Sequence, residues 1–320
     1  MKAAVYTKYG PPEVLHIKEV EEPTPHNNEV LIRIYATTVN RTDTGFRSAR
    51  YFVSRFFTGL IKPKRPVAGS EFAGKIVEVG IDVKDFKVGD KVFGFEDVRS
   101  GAHAEYMTVA ADGSMAKMPE GFSYQVMAPA GEGATYALSV ITAVGIQKGQ
   151  KVLVYGASGA IGSAAIQILK HLKAEVTAVC GTKNLKLIKL LGADKVIDYQ
   201  KEDFTKVDET FDFVFDAVGK SSYGACKKLL TPAGKYYSTE LGSYGQNPLL
   251  AVWFALTGSR KVIFPIPKIN KEKMEYIKRL IESGAYKPVI DRTYSLNEIV
   301  EATRYVESGQ KTGNVVIKVV

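Results

Sequence analysis

Apolar and polar positions follow two rhythms along this chain. A period-two alternation fills much of the first 120 residues, and short apolar runs separated by helical periods take over after about residue 150. Runs such as Val30-Leu31-Ile32-Arg33-Ile34-Tyr35-Ala36 and Gly74-Lys75-Ile76-Val77-Glu78-Val79-Gly80 predict strands, broken by turns like Val88-Gly89-Asp90. A helix is expected to open near Ala128-Pro129-Ala130. Farther on, strands are expected at 151–155, 175–180, 195–198, 211–216 and 234–239, with a further one at 261–264 and helices between them. That alternation predicts an α/β fold built on a doubly wound parallel sheet. The remainder reads as a helix (Lys271 to Ser283), a strand near Val289, a second helix (Leu296 to Ser308) and a closing strand (Asn314 to Val319). It does not extend the parallel-sheet pattern simply. The expected organisation is a β-rich domain over 1–122, a parallel-sheet domain over 123–264, and a return segment over 265–320 that completes the first domain.

The most informative stretch is Gly156-Ala157-Ser158-Gly159-Ala160-Ile161-Gly162. Before it stands Val152-Leu153-Val154-Tyr155, which reads as a buried parallel strand. After it comes Ser163-Ala164-Ala165-Ile166-Gln167-Ile168-Leu169-Lys170, with apolar positions at helical spacing. Strand, glycine turn and helix in that order form the context in which a glycine pattern becomes a dinucleotide site. Ala157 takes the place of the first glycine of G-x-G-x-x-G. Gly159 lets the backbone approach a pyrophosphate, and Gly162 lets helix and strand pack closely. The helix N-terminus offers unpaired N–H groups and a partial positive charge to the phosphates.

The end of the next strand, Glu175-Val176-Thr177-Ala178-Val179-Cys180, bears on which nucleotide is held. It lacks the acidic residue that would hold the adenosine ribose of NAD, and Cys180-Gly181-Thr182-Lys183-Asn184 stands there instead. A carboxylate would repel a 2′-phosphate, whereas a hydroxyl, free backbone N–H groups and an ammonium attract one. NADPH is therefore the expected cofactor, although Lys183 also suits the start of the following helix.

Composition narrows the remaining classes. A 320-residue chain with 45% hydrophobic and 24% charged residues can bury two cores and has no disordered or fibrous signature. The formal charge of +9 raises the question of nucleic acid or an anionic membrane surface. The basic residues are spread along the chain, with Lys62, Lys64 and Arg65 the densest group, and no basic block is interleaved with aromatics. Nucleic acid is not expected as a partner. No stretch reaches the ~20 apolar residues of a membrane helix, so no integral membrane segment is expected. The apolar run from Pro248 to Thr257 is too short and is expected to pack inside or at an interface. The first residues, Met1 to Tyr6, alternate like a strand and carry no signal-peptide pattern. Two distant cysteines, Cys180 and Cys226, imply neither a disulfide framework nor a cysteine metal site. A reducing cytoplasm is the expected compartment.

Several phrases together resemble the medium-chain dehydrogenase/reductase superfamily, in its zinc-independent quinone oxidoreductase branch. They are Tyr9-Gly10-Pro11-Pro12-Glu13-Val14-Leu15, Val39-Asn40-Arg41-Thr42-Asp43, Gly69-Ser70-Glu71-Phe72-Ala73-Gly74 and Phe86-Lys87-Val88-Gly89-Asp90-Lys91-Val92-Phe93-Gly94. The glycine turn, Leu191-Gly192-Ala193-Asp194-Lys195-Val196-Ile197-Asp198-Tyr199 and Phe215-Asp216-Ala217-Val218-Gly219 continue the match in order. Lys287-Pro288-Val289-Ile290-Asp291 and Gly313 to Val319 are similar to chloroplast-envelope-type quinone oxidoreductase homologues and their bacterial relatives. The resemblance implies a GroES-like β domain split around a Rossmann domain, with the active site in the cleft between them.

Departures from the zinc-using relatives carry the chemical expectation. A catalytic zinc needs a cysteine or aspartate, a histidine, and a further cysteine or acid. Asn40 stands where those relatives carry the cysteine, Gly69-Ser70-Glu71 replaces their Gly-His-Glu, and the four-cysteine structural lobe is missing. Glu71 alone would not hold zinc tightly, so no metal is expected. Without one, the implied reaction is hydride transfer from NADPH to a quinone or an α,β-unsaturated carbonyl compound.

By resemblance, Asn40 and Asp43 lie near the nicotinamide. Asn40 would act as an amide donor, while Asp43 would either serve catalysis or fix its loop by accepting backbone N–H groups. Tyr51, eight residues after Asp43, stands where related reductases often carry a tyrosine. Its phenol would bind the substrate oxygen or relay a proton. Packing in an aromatic loop is the alternative. Thr135 matches the threonine that meets the nicotinamide carboxamide. Gly181, Thr182, Lys183 and Tyr199 match positions around the 2′-phosphate, Tyr199 being equally readable as a strand-end aromatic. Ala217 and Val218, and Leu241, Gly242 and Ser243, follow strands at the ligand edge of the sheet. Asn314 is expected to reach the cofactor from the closing strand. The stretch Arg47 to Pro66 is longer than in small relatives, and its apolar positions at 52, 53, 56, 57, 60 and 61 fit an amphipathic helix. Such a helix would cover the substrate, dock on a second subunit or touch a membrane surface. A homodimer is expected by analogy, with Pro248 to Ser259 and Lys261 to Phe264 as its contacts. Two other functions stay open: an enoyl thioester reductase, and a non-catalytic NADPH-binding protein.

Overall fold

The computed structural model describes residues 1–50, 55–97 and 101–320. In the first stretch of chain the strands are β1 (Lys2–Val5), β2 (His16–Glu19), β3 (Glu29–Val39), β4 (Glu71–Val79), β5 (Lys91–Phe95), β6 (Tyr106–Ala110) and β7 (Met115–Lys117). Helices α1 (Arg41–Ser48), α2 (Arg55–Thr58) and α3 (Tyr124–Met127) lie among them. The middle runs α4 (Glu132–Val144), β8 (Lys151–Tyr155), α5 (Ala160–His171), β9 (Glu175–Cys180), α6 (Leu185–Leu190) and β10 (Lys195–Asp198). It continues with β11 (Phe211–Asp216), α7 (Tyr223–Cys226), β12 (Leu230–Ser238) and α8 (Gln246–Leu256). The chain ends with α9 (Lys271–Glu282), β13 (Ile290–Ser295), α10 (Ile299–Glu307) and β14 (Asn314–Lys318). Backbone contacts divide these into two units, Met1–Glu132 with Ile269–Val320, and Gly133–Lys268.

In the first unit a seven-stranded sheet runs β13-β14-β3-β4-β5-β7, with β6 also paired to β3. The eleven-residue β3 is long enough to pair with β6 over Glu29–Arg33 and with β14 over Ala36–Val39, while also pairing with β4, against which its register shifts at Leu31/Ile32 and Ile34/Ala36. Strand β14 pairs antiparallel with β3, so the last segment of the chain is built into the first sheet. One apolar cluster gathers Val30, Ile32, Ile34, Phe72, Ile76 and Val92 inside the sheet. A second joins Tyr6, Leu15 and Val39 to Ile299, Val306 and Ile317 from the returning segment.

The second unit is a five-stranded parallel sheet in the order β10-β9-β8-β11-β12. Strands buried on both faces need continuous apolar runs, and Val152, Leu153 and Val154 of β8 are fully buried. The chain order reverses beside β8, which makes its C-terminal end the switch point where such sheets bind ligands. The strand expected at 261–264 is reduced to a single parallel bridge, Tyr236 with Val262. The helix expected from Leu296 begins as a turn of 3-10 helix over Leu296–Glu298, closed by a capping box between Ser295 and Glu298.

Within the Arg47 to Pro66 stretch, residues 51–54, and with them the apolar positions 52 and 53, lie outside the described residues; the described part is helical to Ser48 in α1 and over Arg55–Thr58 in α2. Arg47 is buried in α1 and binds the Gly10 carbonyl and the Glu307 carboxylate, so it ties α1 to the N-terminal segment and α10. Helix α2 stops at Thr58, and Gly59 turns the chain at φ 128°, a conformation L side chains rarely adopt. Tyr9 donates its phenol proton to the Gly59 carbonyl at 2.6 Å and lies 2.8 Å from Thr58 Oγ1. Phe56, Leu60 and Ile61 remain exposed.

Candidate functional site

The glycine turn leaves β8 at Gly156, where φ is 80° and a Cβ would stand 2.7 Å from that of Val218. The amides of Gly156 and Ala157 both donate to the Val179 carbonyl, at 3.2 and 3.1 Å, which stitches the turn to β9. A Cβ on Gly162 would overlap the Gly156 carbonyl oxygen, so helix and turn touch through backbone alone. Gly159 differs. A Cβ there would meet only the Gly156 oxygen, at 3.6 Å, so the protein's own packing leaves room for a side chain. It is the N-cap of α5, and no side chain among the described residues caps that helix. Its first-turn N–H groups, on Ala160, Ile161 and Gly162, lack helical partners, and Ser158 completes the turn before them. Cationic Lys170 and buried-side Ile166, Ile168 and Leu169 stabilise the other end and inner face of the helix.

Three further turns sit at C-terminal strand ends of the same sheet. Asp216 closes β11, is fully buried, and accepts backbone N–H groups from Val218 (3.1 Å), Gly219 (2.8 Å) and Ser221 (2.8 Å). Burial raises its pKa, opposed by those three bonds. One carboxylate thus shapes the turn that carries Ala217 and Val218. After β12, the buried Asn247 amide donates to the Glu240 carbonyl at 2.8 Å, and its backbone N–H bonds the Leu241 carbonyl at 3.0 Å. Those bonds hold Leu241, Gly242 and Ser243, with Gly242 at φ 73°. After β9, Gly181 lies close to Tyr199, whose phenol oxygen would be 3.2 Å from a Cβ at position 181. Thr182 and Lys183 are exposed beside it, and Tyr199 is 55% exposed. The structure therefore gathers Gly181, Thr182, Lys183 and Tyr199 at one corner of the sheet.

Thr135, on α4, is buried, and its hydroxyl has no hydrogen-bond partner among the described residues. An orphaned buried hydroxyl costs about 1–3 kcal/mol unless something satisfies it. Together with the uncapped α5 and the open Gly159, it fits a nicotinamide dinucleotide.

In the first unit, Asn40 is the N-cap of α1. Its Oδ1 accepts the Asp43 N–H at 2.8 Å, while Asp43 Oδ2 accepts the Asn40 N–H at 3.1 Å. The Asn40 amide nitrogen donates to Ser70 Oγ at 2.9 Å. Burial pushes Asp43 up to about 7. His103 lies 3.8 Å from the same carboxylate and is also buried, which lowers it to about 4 and keeps it neutral. Its Nε2 is 2.7 Å from the Thr38 carbonyl, which only accepts, so Nε2 carries the proton and the buried Nδ1 is left without a partner among the described residues. Nearby, Glu71 accepts the Thr38 hydroxyl and the Glu132 backbone N–H, each at 2.6 Å, and Glu132 accepts the Thr42 hydroxyl at 2.5 Å. Burial raises both glutamates above the ordinary carboxylate range, and Lys311, itself lowered by burial, offsets part of their charge. Asn314, at the start of β14, spends its amide on the Val289 carbonyl at 2.9 Å. Tyr51 lies outside the described residues. No group of three or more histidine, cysteine or acidic side chains is placed to hold a metal ion among the described residues.

Asp216, Asn247, His103 and the Glu132–Thr42 pair escape a reading based on motif alone. Asp216 had a legible signal: an acid at the end of a buried apolar strand, one residue pair before a glycine, is a turn-forming position.

Residues 26–120 match the family described as alcohol dehydrogenase GroES-like domain, and residues 191–317 match the one described as zinc-binding dehydrogenase. The chain is 33% identical to 2-methylene-furan-3-one reductase of Solanum lycopersicum, across 99% of this chain and 79% of that protein. It is 30% identical to the chloroplast envelope quinone oxidoreductase homolog of Arabidopsis thaliana, across 99% and 98%. Identity to the chloroplastic NADPH-dependent alkenal/one oxidoreductase of Arabidopsis thaliana is 29%, across 99% and 79%. Among solved structures, the quinone oxidoreductase from Coxiella burnetii superposes with a TM-score of 0.89 at 27% identity, covering 100% of this chain and 99% of that one.

Proposed function

The chain belongs to the medium-chain dehydrogenase/reductase superfamily, in its quinone oxidoreductase branch, and from that premise we propose an NADPH-dependent, zinc-independent oxidoreductase that transfers hydride to quinones or α,β-unsaturated carbonyl compounds. The observation that carries this reading is the Gly156–Gly162 turn. Its outer glycines are demanded by packing, and its middle glycine, Gly159, is left open before an uncapped helix. A reduced nicotinamide, when bound, supplies the hydride. The first-turn N–H groups of α5 bind the pyrophosphate, Asp216 holds the Ala217–Val218 turn in shape, and the Thr135 hydroxyl binds the carboxamide. Lys183 and Tyr199 support recognition of a 2′-phosphate.

Negative charge developing on the acceptor oxygen needs a donor. The Asn40 amide donates one N–H to Ser70 Oγ and has a second that can serve the acceptor oxygen. Tyr51 is the candidate for a further donor or proton relay. Asn40 and Ser70 occupy the positions where zinc-using relatives carry thiolate and imidazole. An amide and a hydroxyl joined to each other are poor zinc ligands, which supports chemistry without a metal.

A homodimer is part of this reading. Leu249, Val252, Trp253 and Leu256 fall at i, i+3, i+4 and i+7 on α8 and are all exposed, a stripe suited to a second copy.

The test is NADPH oxidation, followed by loss of its near-ultraviolet absorbance, against a naphthoquinone, phenanthrenequinone, an alkyl enone, an alkenal and a crotonyl thioester, with a chelator present. Turnover on a quinone or enone that survives the chelator is expected. Preference for the thioester with strong salt sensitivity would favour the enoyl thioester reductase. Tight NADPH binding without turnover would favour the binding protein.

A further inference from the structure

The adenosine corner contains a carboxylate that the missing acid at the end of β9 does not account for. Asp198 closes the neighbouring parallel strand β10 and is buried. Its Oδ2 accepts the Thr182 hydroxyl at 2.6 Å, and its Oδ1 accepts the Gln200 backbone N–H at 3.1 Å. Gln200 returns the link, its Oε1 accepting the Thr182 backbone N–H at 3.0 Å. Both strand ends are thus locked into one unit, and the direction of the Thr182 hydroxyl is fixed by its partner. A carboxylate can only accept, so the single hydroxyl proton points inward to Asp198. The exposed side of Thr182 Oγ1 presents lone pairs.

Lone pairs suit one sugar and not the other. An unphosphorylated ribose offers a 2′-hydroxyl donor, which an outward-facing acceptor can take. A 2′-phosphate offers only acceptor oxygens and negative charge, and gains nothing from Thr182 Oγ1. We infer that the Thr182–Asp198 pair is a ribose 2′-hydroxyl acceptor, a substitute for the absent acid relayed from the next strand, and that the protein therefore uses NADH as a second cofactor beside NADPH. This rests on the dinucleotide reading above. Lys183 and Tyr199 serve the phosphorylated sugar, and Thr182–Asp198 the plain one.

Asp198→Asn tests the polarity directly. The asparagine Oδ1 keeps the Gln200 N–H, and its amide nitrogen donates to Thr182 Oγ1, which turns the threonine proton outward. A donor then faces the sugar where an acceptor stood, and a buried negative charge is gone.

Dissociation constants for NADPH and NADH measured by calorimetry on the full chain decide the matter. Wild type is expected to bind NADH within about tenfold of NADPH, and Asp198→Asn to shift the ratio toward NADPH by about tenfold or more, the scale of one charge-assisted hydrogen bond. Thr182→Val, at an exposed position, is expected to weaken NADH several-fold and leave NADPH nearly unchanged, with some loss of melting temperature as Asp198 loses its hydroxyl donor. An unaltered ratio in Asp198→Asn with an unchanged melting temperature overturns the inference. So does a Thr182→Val variant that loses NADPH selectively, and this second variant decides the question if Asp198→Asn fails to fold. Failure of wild type to bind either nucleotide would instead defeat the dinucleotide reading itself.

Discussion

The Asn40 amide nitrogen donates to Ser70 Oγ at 2.9 Å, so the two residues that the resemblance sets against the thiolate and imidazole of zinc-using relatives hold each other. Both are buried, and the bond joins the cap of α1 to the chain entering β4. Ser70→Ala leaves a buried amide N–H unpaired. A loss of about 1–3 kcal/mol is expected, read as a lower denaturant midpoint with unchanged slope. A midpoint equal to wild type would mean that another acceptor replaces Ser70.

Asp43 and His103 pull stability in opposite directions with pH. Asp43 sits at about 7 in the folded chain, above an unfolded carboxyl near ~4. The folded state holds that proton longer, so stability falls as pH rises from about 4 to about 7. His103 sits at about 4, below an unfolded imidazole near ~6.5, so its contribution is lost as pH falls through that window. Asp43→Asn removes the first effect and keeps the second. Its stability relative to wild type is expected to grow with pH by up to about 1.4 kcal/mol per unit between pH 4 and 7. Urea unfolding at several pH values checks this, and a flat difference would show that Asp43 ionises like a surface carboxyl.

The glycine turn makes a paired prediction. Gly162→Ala forces a Cβ onto the Gly156 carbonyl oxygen and is expected to lower the melting temperature and weaken NADPH together. Gly159→Ala places its Cβ 3.6 Å from that oxygen, an ordinary contact. The melting temperature should hold while NADPH affinity falls by about tenfold or more, as a methyl group occupies the path of the pyrophosphate. Equal affinity in Gly159→Ala would place the phosphates elsewhere.

Thr135→Val replaces a buried hydroxyl that has no partner among the described residues with a methyl group of similar size. Removing an unsatisfied donor is expected to leave the free protein as stable or more so. Nucleotide binding should weaken by about fivefold to tenfold, the worth of one neutral hydrogen bond. Loss of stability without loss of affinity would assign the hydroxyl to packing.

The parallel-sheet half was the more legible in sequence because its signals are local. Continuous apolar strands, a glycine turn and a helical period occupy adjacent residues, and β8, α5, β9, β10 and β11 all form where those periods fall. The pairings of the first unit are long-range. Nothing near Val39 announces that Val315 will lie beside it. Irregularity also limits a periodic reading: the apolar spacing over 52–61 continues past Thr58, yet Gly59 turns the chain. Site chemistry divides the same way. Turn glycines and the missing acid after Cys180 could be read in order, but the partner of Thr182 comes from the neighbouring strand β10 and that of Glu132 from helix α1, ninety residues earlier. A motif names the residue and leaves its hydrogen-bond direction unstated.

Trp253 is the only tryptophan in the chain, and it stands 62% exposed on α8 within the unpartnered apolar stripe. The protein thus carries its own optical reporter on the face assigned to a second copy. Indole emission is red in water and shifts blue when a neighbour covers the ring, so dilution alone would reveal, without label or mutation, whether that face is wet or dry.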